Sequence, residues 1–371
     1  MINLAFTPVL LTRMMEANPS PPISWISSAL GFVLNFLFQF VYTITESGSL
    51  GISIILLTVF ARLLMIPQGL SSQQSMAVSQ RLTPEVEKIK KKYGDTKDPE
   101  LTRKRDMEIQ ALYSKNGANP IVGCLPLLIT MPIFIALFAV LKSTYLYVTP
   151  INELYTSIAE IFVKASDGVN GLQFFENALE ALVKLKIPKN LNVFVEGSTY
   201  AQWVSDMTRF VNACTPAELA GIVPHLPSNL QTAITPLLSQ KASIETFLTV
   251  DLISNSGWGW PGITIPILTA LSQLLTSFVS MRQTKSGDPQ QMQTQKIMMF
   301  AMPVMMIFFT VNAAAGVGIY WITSSVFAAA QQFALGKYYT KERLDRILEK
   351  KSEKKRLKKE RKNGSTGLHR G

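Results

Sequence analysis

The chain has 371 residues, with 36 Lys and Arg against 25 Asp and Glu, and only 16% of it is charged, well below the roughly 25% usual in soluble domains. Charge is absent from residues 116–141, 252–281 and 297–336, and between Glu46 and Arg81 the only charged residue is Arg62. A membrane span needs about 20 apolar residues, so the chain reads as an all-α polytopic membrane protein, which excludes a secreted disulfide scaffold, a cytosolic enzyme and a disordered chain.

The N-terminal stretch MINLAFTPVLLTRMM has no basic region ahead of its apolar residues and no small-residue cleavage site, so no cleaved signal is expected. Residues 23–45 are uncharged, but Ser24, Ser28, Gly31, Asn35, Gln39, Tyr42 and Glu46 recur at steps of three or four. That polar stripe predicts an amphipathic helix lying in the outer interface rather than a span. As a span it would move the N-terminus to the cytoplasm. The first span is read at about 50–70, centred on GISIILLTVFARLLMIP. The second covers about 120–141, capped by Asn119 with Pro120 at the first helical position, and kinked at Pro126 and Pro132. The third runs about 261–281 and is entered through Trp258-Gly259-Trp260, an interfacial aromatic pair. The 40-residue run 297–336 is too long for one span, and Asn312 to Gly318 divides it into spans near 297–311 and 317–335. The total is five transmembrane helices.

The loops orient them. Residues 71–117 carry ten Lys and Arg, and residues 337–371 carry fourteen against five acids, whereas 143–260 carries six basic and ten acidic residues. Positive-inside bias puts the 71–117 loop and the C-terminal tail in the cytoplasm, and loop 143–260 and the N-terminus outside. The 71–117 loop reads as a helical hairpin. Thr83-Pro84-Glu85 and Asp98-Pro99-Glu100 look like two capped helix starts, with Gly94-Asp95-Thr96 as the turn. Its length exceeds what two antiparallel spans need, which favours a contact surface over a solvated connector. Arg81, Lys88, Lys91, Lys92, Arg103 and Arg105 are its candidate recruitment residues. The basic tail KERLDRILEKKSEKKRLKKERK suits anionic lipid, RNA phosphate or an orientation signal alone. Outside the membrane, residues 151–251 read as a small helical insert, with a capping box at Thr215-Pro216-Ala217-Glu218.

Arg62 lies about twelve residues into the first span, and no Asp or Glu falls within any span. Burying an arginine in a bilayer is costly, so it either snorkels to the cytoplasmic end or faces a hydrated pocket between spans. Ser53, Thr58, Thr130, Gln273, Thr276, Ser324, Ser325, Gln331 and Gln332 could line such a pocket, although each alone is more often a helix–helix hydrogen bond. No metal or catalytic constellation is present. Cys124, Cys214, His225 and His369 are isolated, and G-x-x-x-x-G-K-[ST], H-E-x-x-H and G-x-S-x-G are all missing. With no nucleotide site and no cofactor expected, work must come from binding energy or the membrane potential.

Four segments carry a resemblance. GISIILLTVFARLLMIP, NGANPIVGCLPLLITMPIFIALF, QMQTQKIMMFAMPVMMIFF and GIYWITSSVFAAAQQ resemble the core spans of the YidC/Oxa family of membrane protein insertases. The resemblance covers about residues 20–150 and 255–345. It implies a hydrophilic groove open to the cytoplasm and lipid and closed outside. It makes Arg62 the groove arginine, with Gln273 and Trp321 facing the groove or substrate. It implicates the hairpin in recruitment and the tail in ribosome binding. Thr130 stands where the family usually has glutamine, and Ser325 where asparagine is common, so those hydrogen bonds do not carry over. The N-terminus lacks the lipoprotein cysteine of Gram-positive members, and the insert is not the β-sandwich of Gram-negative ones.

The expected plan is an N-terminal segment (1–46), two spans with the hairpin (47–150), an extracytoplasmic insert (151–255), three spans (256–338) and a basic tail (339–371). The expected function is insertion and folding of membrane proteins in a bacterial plasma membrane without nucleotide hydrolysis. The substrate groove would be formed by Arg62, Gln273, Trp321, Thr130, Ser324 and Ser325. Expected partners are nascent membrane proteins, the ribosome, a Sec translocon, the signal recognition particle pathway and anionic lipid. The alternatives are a secondary transporter, for which no inverted repeat is visible, and an assembly scaffold.

Overall fold

The computed structural model describes residues 23–94, 98–116, 125–166, 199–283 and 289–339, with isolated positions in the tail at 342, 343, 346, 349 and 353. In chain order the helices are α1 (Ile23–Ile44), α2 (Ser49–Leu64), α3 (Ile66–Arg81), α4 (Thr83–Tyr93), α5 (Pro99–Lys115), α6 (Leu125–Lys142), α7 (Thr149–Ser166), α8 (Tyr200–Ala213), α9 (Pro216–Ile222), α10 (Ser228–Glu245), α11 (Thr264–Gln283), α12 (Pro289–Val311) and α13 (Ala315–Tyr338). Strands β1 (Thr246–Phe247) and β2 (Val250–Asp251) form a two-residue antiparallel hairpin between α10 and α11. The chain forms two compact units. Unit one holds residues 1–60, 131–271 and 304–324, and unit two holds 61–130, 272–303 and 325–371.

In unit one, α7 buries Ile151, Leu154, Tyr155, Ile158, Ala159, Phe162 and Val163, a helical stripe at steps of three and four. Against it lie Met207, Phe210, Val211 and Cys214 from α8 and its cap, and Ile234, Leu238 and Ile244 from α10, all in one core with Leu34, Leu50 and Val317. The insert helices therefore share a core with α1 and the N-terminal ends of α2 and α13. Capping boxes start α8 (Thr199 with Gln202) and α9 (Thr215 with Glu218), the second as the sequence predicts. Burial pushes the Cys214 thiol up to about 12, which leaves it inert. Helix α1 seats on this core through Ser27, Gly31, Leu34, Phe38 and Val41. A Cβ on Gly31 would lie 2.2 Å from Tyr147 Cδ1, so only glycine admits that ring. Asn35 Oδ1 accepts the first backbone N–H of α7, from Thr149, at 3.0 Å.

Among the described residues, two helices are long and apolar enough to cross a membrane, Ile23–Ile44 and Thr264–Arg282, or three if α2 and α3 form one bent span. Helix α1 is thus competent to span, although its sequence predicts an interfacial helix. Part of its polar stripe is used internally: Asn35 Oδ1 also accepts from Gln39, while Trp25, Phe32, Phe36, Phe40 and Ile44 are exposed. The apolar stretches of α6 and α12 among the described residues are shorter, at Thr130–Lys142 and Met299–Val311. Asn119, Pro120 and Cys124 lie outside the described residues, whereas Pro132 is inside α6 as expected. The break at Asn312–Ala314 divides α12 from α13 where the sequence places it.

Unit two holds helices α4 and α5 of the expected hairpin, and here the sequence reading needs three corrections. The first span is not continuous to residue 70: α2 stops at Leu64 and α3 leaves it with a bend of 51°. Pro67 has no N–H to give Leu63 and its ring crowds that carbonyl, which breaks the helix one turn upstream. Second, residues 71–81 are not loop but the continuation of α3. Third, Thr83 is not a cap. Leu82 precedes α4 in helical conformation with no side-chain cap bond, because α3 runs almost directly into α4. Asp98 does cap α5, accepting the Glu100 N–H at 2.9 Å, with Pro99 in the first turn.

Candidate functional site

Unit two carries a polar seam along α3, α11 and α13. Ser325 Oγ donates to Gln273 Oε1 at 3.3 Å, and Thr276 Oγ1 donates to the Ser325 carbonyl at 2.9 Å. Gly69 on α3 faces Gln331 on α13 so closely that a Cβ there would lie 2.5 Å from Nε2. The Gln68 amide nitrogen is buried with no hydrogen-bond partner, a costly state that a bound water or polar ligand would relieve. Tyr339 Oη donates to the Leu70 carbonyl at 3.4 Å. The outer faces of the same helices are apolar, with Leu274, Leu275 and Phe278 exposed on α11 and Val326 and Phe333 on α13. Apolar outside and amide-lined inside, these helices carry a set of buried hydrogen-bonding groups between them.

The six expected groove residues divide between the units. Arg62, Thr130, Gln273 and Ser325 lie in unit two, and Trp321 and Ser324 in unit one. Gln273 and Ser325 are joined directly. Arg62 is half-buried in the last turn of α2, where a cation complements the carbonyl end of the helix. Thr130 is half-buried on α6. Trp321 packs edge-on to Phe134 at 5.3 Å and near Phe309 at 6.4 Å, so it is an aromatic packing residue, and Ser324 is buried. Ser53 and Thr58 donate back into α2, to the Ser49 and Ile54 carbonyls, and are satisfied there.

On the hairpin, Lys92 pairs with Glu108 across α4 and α5 at 3.0 Å, and this hydrogen bond holds the exposed Glu108 carboxyl below its ordinary range. Arg105 pairs with Asp106 at 3.0 Å. Arg81, Lys88, Lys91 and Arg103 are exposed. Of the six recruitment candidates, Lys92 therefore ties α4 to α5, and Arg105 is paired with its own neighbour on α5. Among the described residues no group of three His, Cys, Asp or Glu could hold a metal.

Sequence reasoning missed one constellation. Lys241 and Glu245 on α10 are fully buried and paired, and Tyr155 on α7 donates to the same Glu245 carboxylate. The Lys241 ammonium stands 4.4 Å from the Tyr155 ring centroid. Burial pushes the Glu245 carboxyl up to about 7, offset by Lys241 and reinforced by Asp251, and pushes the Tyr155 phenol well up. The signal was present in the spacing, because 234, 238, 241 and 245 form one stripe on α10 and two of its members are ionisable.

The model of a family described as 60Kd inner membrane protein matches residues 40–342, most of the chain. The chain belongs to this family, YidC/Oxa. Among its YidC relatives, membrane protein insertase YidC 1 of Bacillus anthracis is 27% identical over 316 residues, covering 84% of this chain and 82% of that protein. Membrane protein insertase YidC of Caulobacter vibrioides is 28% identical over 305 residues, 81% of this chain but 36% of its own length. That of Chlamydia caviae is 44% identical over 123 residues, 33% of this chain and 15% of its own length. The YidC/Oxa match takes in α2 to α13 and so includes the insert helices as well as the core helices.

Proposed function

We propose that the chain is a bacterial membrane protein insertase and chaperone that works without nucleotide hydrolysis. The observation that carries this reading is the amide-lined seam of α3, α11 and α13, set on helices whose opposite faces are leucine and phenylalanine, in a chain similar to YidC insertases over most of its length. A substrate's polar tail enters a groove built from Arg62, Gln273, Ser325 and Thr130, all in unit two. Its apolar segment slides along the outer faces into lipid. The arginine attracts acidic tails, and buried amides replace water along the path, which lowers the barrier to crossing. Five spans with the N-terminus outside and the C-terminus in the cytoplasm place the hairpin and basic tail where nascent membrane proteins arrive. Lys88, Lys91 and Arg103 then recruit, the tail meets ribosomal RNA and anionic lipid, and a Sec translocon or the signal recognition particle pathway delivers some substrates.

The test is insertion of a short single-span protein with an acidic tail into liposomes holding the purified full chain, without ATP. Insertion well above empty liposomes is expected. Background insertion by correctly oriented, folded protein sinks the insertase reading and shifts weight to an assembly scaffold.

A further inference from the structure

The hairpin that closes the insert turns through Leu248 and Thr249, with Phe247 opposite Val250 and Thr246 opposite Asp251. Both turn residues have positive φ, 49° and 71°. A two-residue turn with both φ positive is normally Asn-Gly or a close equivalent, and a β-branched residue there is an outlier. Strain of this kind is kept where a side chain is needed at that spot. Packing does not account for Leu248, which is 76% exposed.

The hairpin's position is fixed by two glycines. A Cβ on Gly48 would lie 3.1 Å from Phe247 Cδ2 and 3.6 Å from the Thr246 carbonyl, and one on Gly51 would lie 2.5 Å from Phe247 Cγ. β1 therefore advances along α2 from the level of Gly48 to that of Gly51, about 4.5 Å at a helical rise of about 1.5 Å per residue. Leu248 comes next in the same direction, toward the apolar run Ile52 to Leu57. The other strand leads into residues 252–257, which hydrogen-bond to the connection between α12 and α13. Trp258 and Trp260 follow, 61% and 83% exposed, Trp258 edge-on to Phe308 at 5.8 Å. The tip thus stands by the start of α2, and Trp258 stands by the last turn of α12, followed by exposed Trp260; tryptophan side chains favour the bilayer interface.

We propose that Leu248 is a lipid anchor, dipping with Trp258 and Trp260 into the outer leaflet and holding the insert down on the membrane surface. The occupant of this patch is lipid, because the patch continues the membrane boundary marked by the first turns of α2 and α13. The proposal goes beyond insertase activity but rests on α2 being a span.

Its test uses spin labels at Leu248→Cys, Leu56→Cys on the exposed face of α2, and Gly221→Cys on the open surface of α9. Each is made in the full chain carrying Cys124→Ser, with buried Cys214 left in place. In vesicles of phosphatidylcholine and phosphatidylglycerol, collision with oxygen is compared with collision with a nickel chelate. Labels at 248 and 56 are expected to favour oxygen severalfold over the label at 221. Nickel access at 248 matching that at 221, with 56 still lipid-exposed, overturns the anchor alone. Nickel access at 56 as well overturns the span beneath it. Shielding of 248 from both reagents overturns lipid in favour of a protein partner.

Discussion

Lys241, Glu245 and Tyr155 show how one buried cluster sets the behaviour of the insert. Removing one partner of a buried pair leaves the other charge stranded, so Lys241→Ala is expected to destabilise unit one by about 3–5 kcal/mol, while Lys241→Met with Glu245→Leu recovers most of it. Thermal melts of the full chain in detergent measure both. The pH dependence has a definite sign. Glu245 is raised from 4.5 to about 7, so its contribution is full below pH 4.5 and is lost as pH rises through 7. Lys241, Tyr155 and Asp251 are the ionisable groups acting on it. Unit one should therefore melt higher at pH 5 than at pH 8, and Glu245→Gln should flatten that difference. At the turn, Leu248→Asn with Thr249→Gly replaces two strained residues by ones that adopt positive φ readily, and should stabilise the fold by about 1–2 kcal/mol. The buried pair was legible in sequence from the stripe 234, 238, 241 and 245. The turn was not, because Leu-Thr carries no turn signature and only the flanking pairing imposes it.

Among the elements, the hairpin separates two superficially equal signals. Asp98 and Thr83 both precede proline and glutamate by the same spacing, yet only Asp98 caps a helix. Asp98→Ala should cost α5 about 1 kcal/mol, while Thr83→Ala should fall within about 0.5 kcal/mol of neutral. Hydrogen exchange in the first turns of α4 and α5 distinguishes them. The difference is one of context: Asp98 has an extended backbone, φ −69° and ψ 120°, whereas Thr83 follows Leu82, whose backbone is already helical. Breaks at Pro67 and at Asn312 were equally different in legibility. Asn312 to Gly318 interrupts an apolar run visibly, while Pro67 sits in a run hydrophobic enough to read as one span to residue 70.

For the whole molecule, composition alone was enough to place the chain in a membrane, and the core-span motifs were enough for the family, because both depend on long uninterrupted segments. The sharing of one core by the insert and the span ends was not readable, since tertiary packing between segments more than a hundred residues apart leaves no local pattern. Under the proposed function, Arg62→Glu should lower insertion of acidic-tailed substrates severalfold and spare neutral-tailed ones, as read by protease protection in liposomes. The connection between the insert and α11 adds a constraint of order. Ser256 and Gly257 donate to the Ala313 and Val311 carbonyls, and Ala315 and Gly316 donate back to Ser254 and Leu252, at 2.8–3.1 Å. Synthesis delivers residues 252–257 long before 311–316. The segment that closes the insert must therefore wait, its amides hydrated, until α11 and α12 have both been made and threaded. Biogenesis of the protein is thereby given a checkpoint: an inserted chain ending before residue 311 should show the insert open to protease, and the full chain should show it closed.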